Sequence, residues 1–361
     1  MELKHTYSKK KNIKESIKTF SKHPFFGIVM IIALFLILQF VGMAGLILPS
    51  TLNQIALVLI YYIVALGFTL LLGYAGLASL GTAGFIGLGT YVIAVFTDHL
   101  GLPTELGVVV GITLSIVLGT IVGFISLRIE GMYLAIVTLG ISEILVEVFG
   151  KWTITKSGSP YTIFKMYFLG FELKQTDIYS VVYYFIIIAM FLLMVATINI
   201  IKSPTGRAML AMKNSTSAAQ AMGISLIKYR LLAFILATFT AGLGGALYYL
   251  KYSTTNPLSW GLALSLNILA AVVIGGMKNI YGVLVGTFIV FGLNELVLKR
   301  IAFFDNFPSA FMIINGLLII LVVMFYPGGV IRLFTDIKQG IFKLYRKINL
   351  TWKEYRYGKD N

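Results

Sequence analysis

The chain has 361 residues, of which 58% are hydrophobic and only 12% are charged. Soluble proteins carry about a quarter charged residues, so this composition excludes an ordinary soluble domain. The apolar residues fall into runs of about twenty, the length that crosses a hydrocarbon layer about 30 Å thick. Because backbone groups in lipid must pair within each segment, the runs predict an all-α polytopic membrane protein. The absence of cysteine excludes disulfides and thiolate sites.

The net charge of +15 is confined to three basic segments. Residues 1–24 hold seven lysines against two acids, residues 202–230 hold five basic residues and no acid, and residues 328–361 hold eight basic residues against three acids. Basic flanks beside apolar runs are typical of cytoplasmic loops, so we expect all three segments in the cytoplasm and no contact with nucleic acid. The predicted organisation is a cytoplasmic N-terminus, a membrane domain over residues 25–327 and a cytoplasmic tail.

About ten membrane spans are predicted in chain order: 25–48, 53–72, 77–97, 106–127, 132–149, 179–201, 231–250, 260–277, 281–298 and 307–326. Six spans separate the first basic segment from the second, and four separate the second from the third. Both numbers are even, so all three basic segments are predicted to lie on the same side of the membrane. The loop 150–178 fits this topology less well, because it is predicted to be external and yet carries four lysines.

The stretch from Gly73 to Gly89 is the densest in small residues, with six glycines in seventeen positions. Glycine costs about 1 kcal/mol per helical position relative to alanine in water. In a membrane it allows close helix contacts, or a helix break whose free carbonyls line a cavity. The stretch favours a broken or tightly crossed helix beside a solute path, with small-residue packing as the alternative. The candidate path residues here are Ser79, Gly81 and Thr82.

Two polar features lie in other spans. Glu143 and Glu147 are four residues apart on one face of the fifth span. Ionisable groups inside spans cost about 2.5–3.5 kcal/mol on insertion scales and are usually paired or functional, so Glu143 is a candidate for the path or for a subunit contact. A second small-residue segment, Gly275 to Gly282, follows an apolar run that holds Asn267, which is a further candidate path residue.

The loop 202–230 is too polar to span a membrane. Ser203 and Pro204 are helix-start signals, and Gly223 is a stop signal. The segment predicts a short amphipathic helix on the cytoplasmic face, a form that suits the groove of a partner protein. A surface connector without a partner is the alternative.

Enzymatic machinery is not expected. No Gly-x-x-x-x-Gly-Lys-[Ser/Thr] phosphate loop occurs in the sequence, and the three histidines are scattered. The sequence therefore predicts a transport protein without its own ATP hydrolysis and without a metal or other cofactor.

Several motifs together resemble one known family. They are Gly73-Tyr-Ala-Gly-Leu-Ala-Ser-Leu-Gly-Thr-Ala-Gly-Phe85, Leu127-Arg-Ile-Glu-Gly-Met-Tyr-Leu-Ala-Ile-Val-Thr-Leu139, Ser203-Pro-Thr-Gly-Arg-Ala208, Ala218-Ala-Gln-Ala-Met-Gly-Ile224 and Tyr326-Pro-Gly-Gly-Val330. Over about residues 50–330 they are similar to the M-type permease subunits of ATP-binding-cassette importers for branched-chain amino acids.

The resemblance implies a multi-pass protein of the cell membrane and a set of partners. They are a second homologous permease, two cytoplasmic ATP-binding subunits and an external solute-binding protein. It also implies that the loop 202–230 couples the permease to an ATPase, with the candidate residues Arg207, Ala218, Ala219, Gln220 and Gly223. Leu77 and Thr82 stand where the family pattern has glutamine and histidine. Other members move urea, amides or nucleosides, so these solutes, and a self-sufficient carrier or channel, remain alternatives.

Overall fold

The computed structural model describes residues 26–125, 132–152, 155, 161–162, 165–174 and 181–296, with isolated positions between 313 and 330. The N-terminal basic segment, nearly all of the basic tail and most of the predicted tenth span lie outside the described residues.

The described chain is helical over most of its length. The helices are α1 Phe26–Met43, α2 Pro49–Phe68, α3 Thr82–Ala94, α4 Thr104–Ile125, α5 Met132–Lys151, α6 Val181–Lys202, α7 Pro204–Asn214, α8 Thr216–Ala221, α9 Leu226–Tyr252, α10 Leu262–Gly275, α11 Ile280–Thr287 and α12 Leu293–Leu296. Wider π-helical turns at Thr69–Tyr74, Val95–His99 and Phe288–Gly292 continue α2, α3 and α11, and a 3₁₀ turn at Pro257–Trp260 precedes α10.

Four short strands lie in the connections. β1 Tyr161–Thr162 pairs antiparallel with β4 Thr254–Thr255, so the loop after α5 contacts the loop after α9. β2 Lys165–Phe168 and β3 Phe171–Lys174 form a hairpin in which Lys165 is opposite Lys174. These strands lie only in the loops, and the fold of the described chain is formed by the helices.

Seven helical segments of the described chain are long and apolar enough to cross a membrane: Phe26–Met43, Pro49–Tyr74, Thr104–Ile125, Tyr133–Lys151, Val181–Lys202, Leu226–Tyr252 and Pro257–Gly275. A shorter apolar helix covers Ile280–Gly292. The prediction of an all-α polytopic membrane protein is therefore confirmed. The total of ten spans stays a prediction, because the predicted spans 77–97 and 281–298 are not among these seven segments and the tenth lies mostly outside the described residues.

Helix α9 packs against α2, α3 and α4 through glycines that let backbones meet. Gly245 lies against the carbonyl oxygen of Ile86 in α3, and Gly89 of α3 lies against the carbonyl oxygen of Gly242 in α9. A side chain at Gly89 or Gly245 would collide with main chain, which cannot give way. The helices α1, α4 and α5 are only about a quarter buried over their most apolar stretches, as expected for the outer layer of a membrane bundle.

The predicted span 77–97 is not one continuous helix. The helical path of α2 ends at Tyr74, residues 75–81 are irregular, and α3 begins only at Thr82. We call residues 75–81 the α2–α3 break. Gly76 has φ +73°, a conformation in which residues with a side chain are strained, and this turns the chain out of the helix. The structure thus contains both predicted forms, a break at residues 75–81 and a close helix contact at Gly89.

Candidate functional site

Most of the α2–α3 break is buried within the protein, and only Gly76 of its residues is exposed. Ser79 and Thr82 are 4% and 7% exposed, and Gly81 is buried as well. Irregular backbone within a membrane domain needs partners from the protein itself, because lipid supplies none. The break is therefore stable only if neighbouring helices satisfy its polar groups.

Hydroxyl side chains supply those partners at the start of α3. The first N–H groups of a helix have no partner within the helix. The amide of Leu80 donates to Thr138 Oγ1 at 3.0 Å, that of Gly81 to Ser79 Oγ at 3.3 Å, that of Ala83 to Ser265 Oγ at 3.0 Å, and that of Gly84 to Ser142 Oγ at 3.0 Å. Helices α5 and α10 thus cap α3 from two sides.

This arrangement brings the predicted path segments together. Ser142, which caps α3, directly precedes Glu143 in α5, and Ser265, the second cap, lies two residues before Asn267 in α10. Ser79, Gly81 and Thr82 therefore lie at the point where the segments that carry Glu143 and Asn267 meet. Asn267 itself is half-buried, whereas Glu143 is exposed.

The outer face of α5 combines an exposed carboxylate with an open glycine. Tyr133, Ile136, Gly140, Glu143 and Glu147 are all exposed and follow helical spacing. No other part of the described chain comes within 4 Å of the place where a Cβ of Gly140 would lie. Beyond Gly140, an open surface cavity of about 700 Å³ runs along the same face. Glu147 forms an ion pair of 2.6 Å with Lys151 at the helix end, while Glu143 lies near the middle of the helix.

The polar segment after α6 folds as two short helices. Ser203 caps α7 by accepting a hydrogen bond from the amide of Gly206 at 3.5 Å, and Pro204 follows as the first helical residue. Ser215 ends α7 and caps α8 through the amide of Ala218 at 3.2 Å. Gly223, with φ +77°, closes the segment. The predicted start and stop signals are confirmed, and Ser215 explains why two helices form where one was predicted.

The candidate coupling residues divide into an outer and an inner group. Arg207, Ala218, Gln220 and Gly223 are exposed, and Arg207 Nη1 donates to the carbonyl oxygen of Lys202 at 3.0 Å. Ala219 is 3% exposed and holds α8 against the rest of the protein. Helix α7 also has a buried apolar face, formed by Ala208, Met209 and Met212, which confirms its predicted amphipathic character.

Lys213 joins α7 to the end of α2. Its Nζ donates to the carbonyl oxygens of Leu72 at 3.0 Å and of Gly73 at 2.9 Å. Partial burial, and then the nearby positive charge of Lys278, lower the pKa of Lys213. Sequence reasoning did not single this residue out, because nothing in the pattern distinguishes it from the other basic residues of the loop.

The capping residues Thr138, Ser142 and Ser265 were also not predicted as site residues. The first two lie four residues apart on one face of α5, a signal that was available in the sequence but did not indicate α3 as their partner. Within the part of the chain that the structure describes, no group of three or more metal-binding side chains occurs.

A bundle of apolar helices with a capped break in its interior and a polar two-helix segment at one end defines a multi-pass membrane protein. The chain matches the family model described as "Branched-chain amino acid transport system / permease component" over residues 50–323, and it therefore belongs to this family.

Curated relatives agree with this membership. The chain is 28% identical to the high-affinity branched-chain amino acid transport system permease protein LivM of Escherichia coli over 306 residues, which are 78% of this chain and 70% of the relative. It is 28% identical to LivM of Salmonella typhimurium over 297 residues, 76% of this chain and 68% of the relative. A probable branched-chain amino acid transport permease protein LivH of Methanocaldococcus jannaschii is 26% identical over 283 residues, 74% of this chain and 87% of the relative. No solved structure matches the chain significantly.

Proposed function

We propose that the chain is one of two permease subunits in an ATP-binding-cassette importer that carries branched-chain amino acids across the cell membrane. The observation that carries this proposal is the family match, which covers both the α2–α3 break and the α7–α8 segment. The proposed partners are a second homologous permease, two ATP-binding subunits in the cytoplasm and an external solute-binding protein. ATP hydrolysis belongs to the ATP-binding subunits, and this chain supplies half of the path.

The proposed path passes the break between α2 and α3. Ser79, Gly81 and Thr82 lie in it, and Asn267 and Glu143 stand beside the two serines that cap α3. A helix that begins inside the membrane is a common element of transport sites, because its ends offer backbone dipoles to a polar solute. Here amides at the start of α3 already donate hydrogen bonds to side-chain hydroxyls. A passing solute therefore finds these amides already bonded, which favours weak binding and rapid release.

The second permease is proposed to cover the outer face of α5. An isolated carboxylate in the middle of a span costs about 2.5–3.5 kcal/mol in lipid on insertion scales, so Glu143 belongs against protein or water. Gly140, one turn away and without a neighbour in the described part of this chain, allows another helix to approach closely. Glu143 then faces a path that the two permeases share.

The α7–α8 segment is proposed to meet an ATP-binding subunit on the cytoplasmic side. Its outer face carries Ala218, Gln220 and Gly223 together with Met222, which is 82% exposed. Small side chains and one flexible apolar side chain suit a groove in a partner. In this orientation the basic segment 202–230 follows the positive-inside rule, and both termini lie in the cytoplasm.

Uptake of radiolabelled leucine into proteoliposomes tests the function. The full complex, assembled from the chain, the second permease, the two ATP-binding subunits and the binding protein, should accumulate leucine only when ATP and the loaded binding protein are present. The chain alone should move none. Leucine movement by the chain alone, without ATP, would identify a self-sufficient carrier or channel.

Competition separates the solute classes in the same assay. An excess of unlabelled isoleucine or valine should abolish leucine uptake, whereas urea, an aliphatic amide or a nucleoside should not. An active complex that ignores leucine but carries one of those three solutes would overturn the substrate assignment while leaving the importer class in place.

A further inference from the structure

The end of α2 is an unusual helix terminus because it lies inside the protein at the α2–α3 break. The last carbonyl groups of a helix have no partner within it. Two of them are satisfied by the backbone of the break: the carbonyl of Leu70 accepts from the amide of Ala75 at 3.0 Å, and that of Leu71 accepts from the amide of Leu77 at 3.0 Å. The next two carbonyls, those of Leu72 and Gly73, receive no backbone hydrogen bond of this kind from the residues that the structure describes.

Lys213 supplies the missing donors from a different part of the chain. Its Nζ reaches both carbonyl oxygens, at 3.0 and 2.9 Å, across about 140 residues of sequence. A cation at the carboxyl end of a helix is further favoured by the helix dipole. The lysine therefore caps α2, although it belongs to α7.

The contact extends along the lysine side chain. A Cβ at Gly76 would lie 2.9 Å from Cγ of Lys213, so the aliphatic stem lies directly on the glycine of the break. Gly76 has φ +73°, which exposes its backbone to this approach. The amine of Lys213 binds the last residues of α2, and its aliphatic stem contacts Gly76 in the break. Lys213 therefore attaches α7 to the chain on both sides of the α2 terminus.

The same point is tied to the turn between α10 and α11. Tyr74 Oη donates to the carbonyl oxygen of Lys278 at 3.1 Å, and Gly73 lies against the carbonyl oxygen of Met277. Asn279 caps α11 by accepting from the amides of Tyr281 and Gly282 at 3.0 and 3.3 Å. The α2 terminus is therefore in direct contact with the turn between α10 and α11 as well as with the break that leads to α3.

We infer that Lys213 is the positioning residue that links α7 to the α2–α3 break, so that a displacement of α7 moves the break and the turn behind it. This inference rests on the proposed function, in which an ATP-binding subunit moves the α7–α8 segment. Helix α8 then serves as the contact with that subunit, and Lys213 serves as the connection from the contact to the path.

Substitution of Lys213 tests the link in the reconstituted complex. Lys213→Met keeps the stem and removes the donors, so the complex should assemble and hydrolyse ATP, while leucine uptake per ATP hydrolysed should fall at least tenfold. Lys213→Arg keeps a cation and its donors and should restore at least a third of the coupling. Lys278→Met is the matched control, because it removes a neighbouring positive charge without removing either hydrogen bond, and it should behave as wild type.

Two results of this experiment would overturn the inference. One is wild-type coupling in Lys213→Met. The other is a parallel loss of assembly, ATP hydrolysis and uptake that Lys213→Arg does not restore, which would make the lysine a purely structural cap. A wild-type complex without ATP-driven leucine uptake would instead refute the proposed function, and the link with it.

A second measurement does not depend on how well the methionine variant folds. Because the chain lacks cysteine, spin labels can be placed uniquely at Asn214→Cys, at the end of α7, and at Lys278→Cys. With Lys213 intact, the dipolar broadening between the labels should be the same in the nucleotide-free complex and in the vanadate-trapped complex, because the two sites move together. A change in broadening on trapping would show that α7 moves independently of the break, and would overturn the inference.

Discussion

At the residue scale, the interior of the protein depends on side-chain hydroxyls that replace backbone hydrogen bonds. Thr138 and Ser142 of α5 and Ser265 of α10 accept from amides at the start of α3. Other hydroxyls, such as that of Thr120, donate to a carbonyl of their own helix, where the backbone already has a partner. The first kind satisfies a group that would otherwise be unpaired, so its removal is the more costly.

Ser142→Ala should lower the free energy of unfolding by about 1–3 kcal/mol, because the buried amide of Gly84 loses its acceptor. Thr113→Ala is the control, since Thr113 is exposed and its hydroxyl bonds to the carbonyl oxygen of Val109 in its own helix. The free energy of unfolding of both variants is measured by titrating the purified proteins in mixed micelles with dodecyl sulfate. Equal effects of the two substitutions would contradict the capping role of Ser142.

At the scale of elements, α7 and α8 form a docked unit with one apolar face and one free face. Ala219 is the buried contact of the short helix α8, and Ala221 on the same helix is exposed. A helix of six residues has little stability of its own. Its position therefore depends on this contact, on the cap at Ser215 and on the turn at Gly223.

Ala219→Asp should release α8 from the protein, because a buried carboxylate without a partner is strongly unfavourable. The chain should still insert into the membrane, but trypsin should cleave at Lys213 or Lys228 at least ten times faster, and uptake should be lost. Gly223→Pro should act in the same direction, since proline cannot adopt φ +77°.

Ala221→Asp is the matched control for this release, as it adds the same charge to an exposed position of the same helix. It should leave the rate of cleavage unchanged. Rapid cleavage in Ala221→Asp, or none in Ala219→Asp, would show that burial at Ala219 does not hold the helix in place.

At the scale of the whole molecule, three outer helices expose most of their surface, but only α5 carries an exposed carboxylate near its centre. The exposed residues of α4 include Val109, Val117 and Ile121, which suit lipid. The face of α5 with Gly140 and Glu143 does not, and this difference supports its assignment to the second permease.

Gly140→Trp should leave the thermal stability of the isolated chain unchanged, because the space around Gly140 is open within the described chain. The same substitution should reduce co-purification of the second permease at least tenfold, since a large side chain keeps the helices apart. Ile121→Trp on the lipid-facing side of α4 should have no effect on either quantity. Normal pairing in Gly140→Trp would place the second permease on another face.

The sequence by itself determined the class of the protein. Apolar runs of membrane length and the need to pair every backbone group dictate a helical bundle, whatever its tertiary contacts. The same local physics predicted where α7 begins, at Ser203 and Pro204, and where α8 stops, just before Gly223. Glycine density at Gly73 to Gly89 indicated close contact or a break, and the structure contains both, the contact at Gly89 and the break at residues 75–81.

Only the tertiary structure decided where the break and the close contact occur, because both depend on partners distant in sequence. The break exists where Thr138, Ser142, Ser265 and Lys213 supply donors and acceptors that the local chain lacks. A hydroxyl or a lysine in a sequence has the same local properties whether it caps another helix or faces solvent. Ala219 shows the same limit, since its burial follows from packing and not from the residue type. Residue types and their spacing therefore predicted most of the helices. Long-range hydrogen bonds, such as those from Lys213, determined how α7 is attached to the end of α2.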